Sequence, residues 1–177
     1  NSYFSAHLDA TGKLEITNRD ASATRWSGNT GVSSIAATTW YQLVITQDGT
    51  SPKFWLGAHN SAITDTTTMV DTTDQTAWID VGAIDNFQLG REDHNSSAGS
   101  YLDGGIAEVG IWNVVLSDAE IADLHNQAGS KGKPASTYPT GLRVFFPFNA
   151  DGVMTNDAPA SDKATLVTSF PDSLGSS

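Results

Sequence analysis

Apolar and polar side chains alternate from Ile106 to Asn113, which puts Ala107, Val109 and Ile111 on one face of a predicted strand and Ile106, Glu108, Gly110 and Trp112 on the other. The first face reads as core. The second is too polar for full burial and too apolar for plain exposure, so it is either half covered or used, with Glu108 and Trp112 as its candidate binding groups. Asp103-Gly104-Gly105 marks the turn before this strand. After it, Ser117 and Glu120 have capping-box spacing, and Ile121 and Leu124 form the stripe of one short helix near 118–126, stopped by Gly129, Gly132 and Pro134.

The same period of two recurs along the chain. Tyr3–Leu8, the turn Asp9-Ala10-Thr11-Gly12 and Lys13–Thr17 read as a hairpin, and Trp40–Thr46 with Phe54–Gly57 read as a second, joined by Asp48-Gly49-Thr50-Ser51-Pro52. Asn18–Gly31 and the Thr- and Asp-rich stretch 58–85 read as loops, Phe87–Arg91 as a short strand, and Glu92–Gly99 as a loop. Leu142, Val144, Phe146 and Phe148 form an apolar row suited to a core strand, ending at an edge or bulge because Pro147 cannot donate to a ladder. Turns precede Ala164–Thr168, and residues 171–177 read as a loose tail.

These patterns predict an all-β protein, an antiparallel jelly-roll β-sandwich with one short α-helix. The 177 residues suit a single domain spanning 1–177. A net charge of −11 argues against a nucleic-acid groove or an anionic membrane surface, since either would repel the chain at long range. Cysteine is absent, which excludes disulfides and thiolate metal sites. No run of about 18 apolar residues occurs, so no membrane insertion by a helix is expected.

Four segments resemble laminin-G-like jelly rolls of the concanavalin A-like superfamily, one of them Phe87–Arg91, similar to that family's i-G-r strand. The hairpin with Trp40, Asp48, Gly49 and Gly57 is similar to that family's W-x-x-v-x-v-t-x-D-G … l-y-v-n-G pattern. The stretch from Gly104 to Ile121 resembles its closing motif, with Ala107 where the usual form has Asp, and Gly141–Thr168 resembles a flanking segment. The resemblance implies a jelly roll that often binds calcium, and modules used for adhesion in secreted proteins or as decorations and fibres of phage particles. It also implies strands ahead of the one matched by Tyr3–Leu8. With the chain starting at Asn1, the expectation is a processed chain or a piece of a longer protein, with Leu142–Phe148 folding back to fill the core.

Catalysis is not expected. A glycosidase of this superfamily needs an E-x-D-x-x-E arrangement to hold acid and nucleophile on one face, and the sequence has none; Glu108 has Ile106 and Gly110 as same-face neighbours. Binding is the remaining class, with carbohydrate first, because an aromatic face stacks on a sugar ring while Asp, Asn and Glu bond its hydroxyls. Of the five tryptophans, Trp40, Trp55 and Trp112 read as core or helix-covering, and Trp26 and Trp78, in loop-like settings, as platforms. Asp93 and Asn95, at alternate positions, are the candidate calcium ligands, though Ala98 and Gly104 exclude an EF-hand. The expected partners are a glycan or a surface protein, a second copy, or a virion assembly, at an extracellular or virion surface. The competing reading is a capsid decoration or tail fibre without a small ligand.

Overall fold

The computed structural model describes residues 2–20, 23–31, 35–78, 88–90, 92–94, 97–99, 101–125 and 132–146, with backbone alone at 92–94 and 97–99. In chain order the strands are β1 (Tyr3–Leu8), β2 (Leu14–Asp20), β3 (Ala23–Asn29), β4 (Tyr41–Gln47), β5 (Pro52–Ala58) and β6 (Thr64–Asp65). There follow β7 (Thr68–Asp71), β8 (Glu92–His94), β9 (Ser97–Gly99), β10 (Val109–Trp112), helix α1 (Asp118–Leu124), a 3₁₀ turn (Ala135–Thr137) and β11 (Leu142–Phe146). They belong to two compact units, Asn1–Gly105 with Val115–Pro134, and Ile106–Val114 with Ala135–Ser177.

In the first unit two antiparallel sheets face each other, one in the order β1-β2-β3-β7 and one in the order β4-β5-β6. Ile16 and Trp26 of the first meet Phe54 of the second, all three fully buried, with Phe4, Leu14, Ile45, Met69 and Trp78 packed around them. Each such side chain contributes on the order of 2 kcal/mol by leaving water. This is the predicted β-sandwich, and both predicted hairpins are present: Tyr3 to Leu8 pairs with Arg19 to Leu14, and Tyr41 to Gln47 with Ala58 to Pro52. Their turns form for the expected reason. The Asp9 carboxylate accepts from the N–H groups of Thr11 and Lys13 at 2.7 and 2.9 Å, and that of Asp48 accepts from Thr50 N–H at 2.8 Å.

The loop expected over Asn18–Gly31 is instead the end of β2 and all of β3. Its inward positions are Trp26, Gly28 and Thr30, and two of these are not apolar, so the hydrophobic alternation is hidden. Gly28 sits there because the Phe54 ring fills its side-chain space: a Cβ would lie 2.5 Å from Phe54 Cε2 and 2.8 Å from the Thr68 carbonyl oxygen. The stretch 58–85 likewise contains β6 and β7, and the expected loop Glu92–Gly99 is a hairpin in which Asp93 pairs with Ala98. Residues 88–90 form a bend, not the expected strand; Phe87 and Arg91 lie outside the described residues.

Helix α1 begins as predicted. Ser117 N–H donates to Glu120 Oε2 at 2.8 Å, Glu120 N–H donates to Ser117 Oγ, and Ile121 and Leu124 are buried. It ends at the C-cap His125.

In the second unit β10 pairs antiparallel with β11. The strand expected from Ile106 starts only at Val109, because Glu108 has φ +50°, a left-handed conformation that extended pairing cannot use. The face assignment also reverses. Trp112 packs on the buried cluster Ala135, Leu142 and Phe145, whereas Ile111 is exposed. Ile111 pairs with Val144 and Trp112 with Leu142, so Arg143 is the extra residue of a bulge, and the bulge brings Leu142 and Phe145 to one side. Leu142–Phe146 thus forms the expected strand; Phe148, Ala164–Thr168 and 171–177 lie outside the described residues.

Candidate functional site

Trp26 is not a surface platform. It is fully buried, its Nε1–H donates to the Ala77 carbonyl at 2.7 Å, and its ring lies between Phe4 and Phe54 at centroid distances of 6.1 and 6.0 Å. Trp78 stacks on it at 6.2 Å, with ring planes 14° apart, and also meets Phe4. Both indoles are engaged in the core because the segment read as a loop is a strand that turns Trp26 inward.

Trp112 is committed too. Its ring lies across Gly110, where a Cβ would come within 2.5 Å of Cη2, and its Nε1–H donates to the Tyr138 carbonyl at 2.8 Å. Glu108 stays at the surface, with its carboxyl pushed up from the ordinary range by partial desolvation. No acidic residue occurs on β10 or on its partner β11, so this strand pair supplies no second carboxylate. Asp93 is in β8, and its side chain and Asn95 lie outside the described residues. Among the described residues no group of three His, Cys, Asp or Glu is placed to hold a metal ion.

The outward face of β4 and β5 carries the site that hydrophobic periodicity did not single out. Ile45 and Phe54 turn to the core, so Gln42, Val44 and Thr46 of β4 and Lys53, Trp55 and Gly57 of β5 turn the other way. Helix α1 covers part of this face. Thr46, Lys53 and Trp55 line a cleft of about 40 Å³ with Leu116 and Ile121, a volume for one or two waters and no sugar. Further along, the imidazole of His125 is 97% buried; Nδ1 meets Gln42 Oε1 at 2.9 Å, and Nε2 meets the carbonyls of Ala58 and Ser61 at 3.2 and 3.0 Å.

Past His125 the face opens. Trp40 precedes β4, and its carbonyl accepts from His59 N–H at 2.8 Å at the end of the β4–β5 ladder, beside the last pair, Tyr41 with Ala58. Trp40 lies by alternation on the same face as Gln42, and the backbone of His59 lies beside it. Trp40 is 56% exposed. One side of its indole rests on the Asp103-Gly104-Gly105 loop, where a Cβ on Gly105 would stand 2.8 Å from Cη2. His59, bonded to the Trp40 backbone, and Asn60 after it are exposed, as are Asp103 and Tyr101 in the stretch leading to Gly105. An anchored, exposed indole with an imidazole, an amide and a carboxylate nearby can stack on a ring and hydrogen-bond its substituents. The sequence carried a signal for it: Trp40 shares its side of the strand with Gln42 and Thr46, the polar side.

Two facing antiparallel sheets with a single short capped helix define a β-sandwich of the concanavalin A-like class. A family model described as the concanavalin A-like lectin/glucanases superfamily, of laminin G type, matches residues 1–122, and the chain belongs to that family. Comparison with curated proteins and with solved structures found no match.

Proposed function

We propose that this chain is a non-catalytic recognition domain that binds carbohydrate through the surface around Trp40. The observation that carries the reading is the indole itself: anchored on Gly105 and 56% exposed, it presents a large apolar face that folding does not use. The polar groups beside it match the hydroxyls of a sugar. A non-catalytic role is supported by Glu108, which has no carboxylate partner on the strand pair β10–β11, whereas glycoside hydrolysis needs two. The acidic, cysteine-free composition suits an extracellular or virion surface, where the domain would attach a larger assembly to a glycan-bearing partner.

A glycan array probed with the intact chain and with Trp40→Ala tests this. Selective retention that the substitution removes is the expected result. Silence of the intact chain, together with tight association with a particle or a second copy, would favour a purely structural role.

A further inference from the structure

The Trp40 surface has a composition that restricts its ligand, and this inference rests on the carbohydrate reading above. His59 N–H donates to the Trp40 carbonyl at 2.8 Å just past the last β4–β5 pair, Tyr41 with Ala58, which brings the two backbones side by side. The 58–61 turn therefore lies beside Trp40. Asn60 follows His59 in a left-handed conformation, φ +65°, which asparagine tolerates better than other side-chain-bearing residues, so the turn holds an exposed amide there. Ser61 N–H donates to the Ala58 carbonyl at 2.9 Å and closes the turn, and His125 binds the carbonyls of Ala58 and Ser61, so the turn is pinned from beneath. Asp103 lies two residues from the glycine under the indole, in a chain of net charge −11.

We infer that this surface takes an uncharged sugar ring, that the His59–Asn60 turn reads its hydroxyls, and that Asp103 disfavours acidic sugars. Stacking on Trp40 supplies affinity for any ring with an apolar face. Discrimination comes from the turn, because a hydroxyl placed against a rigid donor or acceptor is bonded in one stereoisomer and left unpaired in another. A carboxylate-bearing sugar meets the Asp103 charge and the overall negative field, which weakens it most at low salt.

Affinity chromatography of the intact chain on immobilised galactose, mannose, N-acetylglucosamine and glucuronate tests this. Circular dichroism of each variant confirms folding. The wild type should retain at least one neutral sugar about tenfold over glucuronate. Trp40→Ala should lose retention of all of them, and His59→Ala with Asn60→Gly should change the order among the neutral three; glycine suits the φ of residue 60, so the fold is kept. Loss with Trp40→Ala but an unchanged order in the turn variant overturns this inference and leaves the carbohydrate reading standing. Retention that survives Trp40→Ala, or no retention by the wild type, overturns both. Glucuronate held as strongly as the neutral sugars overturns the charge selection.

Discussion

The imidazole of His125 lies against the backbone of Gly57, so closely that a β-carbon on Gly57 would stand 2.6 Å from Nε2 and 2.8 Å from Cε1. The Cα of Ile63 is 2.9 Å from the same point, which leaves no direction in which a side chain could grow. The glycine therefore lets the histidine at the end of α1 reach through to the carbonyls of Ala58 and Ser61 and tie the helix to the sheet beneath the Trp40 surface.

Gly57→Ala should cost about 1–3 kcal/mol, the usual penalty for overpacking, read from urea unfolding. In the double variant with His125→Ala the cost of the alanine should shrink, because the ring it strikes is gone. Strict additivity of the two changes would show that the ring and the glycine are not in contact as described.

The buried indole of Trp26 is a second test of the core. Trp26→Ala should destabilise by about 3–5 kcal/mol, since it empties the centre of the sandwich and leaves the Ala77 carbonyl without its shortest donor. Trp40→Ala, at the surface, should change the unfolding midpoint little. Equal costs for the two would contradict the placement of Trp26 inside and Trp40 outside.

Acid should weaken the fold through named groups. Asp9 is held below the ordinary carboxylate range chiefly by the Lys13 N–H, Asp48 by Thr50 N–H, Asp71 by Thr73 N–H and Glu120 by Ser117 N–H. Each group takes up a proton more readily unfolded than folded. The stability it lends is therefore complete above the unfolded carboxylate range and is lost as pH falls through the lower, folded values. Glu108 has the opposite sign: desolvation raises its pKa, so ionising it as pH rises costs stability. Melting temperature should fall below about pH 4, less steeply in Asp9→Asn and Glu120→Gln, and Glu108→Gln should gain stability at neutral pH. A wild-type slope retained in the first two variants would contradict the assignment.

What could be read in the sequence follows the range of the interactions. The Ser117–Glu120 box, the Asp9 and Asp48 turns and the two hairpins depend on residues within a few positions of each other, and the local pattern shows them. β3 is hidden because the inward positions along it and just after it hold Gly28 and Thr30 as well as Trp26, and the reason for Gly28 is Phe54, far away in the chain. The reversal of β10 follows from Glu108 in a left-handed conformation and from the bulge at Arg143, which alternation alone does not show. The tryptophans follow the same rule: Trp26 stands in a loop-like sequence and is core, and Trp40 stands in a core-like sequence and is surface.

The central claim is that Trp40 is the binding indole, and the five tryptophan side-chain N–H signals in a nitrogen–proton correlation spectrum test it directly. The Trp40 signal is identified by its disappearance in Trp40→Phe and that of Trp26 by its disappearance in Trp26→Phe. On titration with a sugar retained by the intact chain, the Trp40 signal should move progressively while that of the buried Trp26 stays in place. Movement of the Trp26 signal with Trp40 unchanged, or no movement of any indole signal with a retained sugar, would contradict the account.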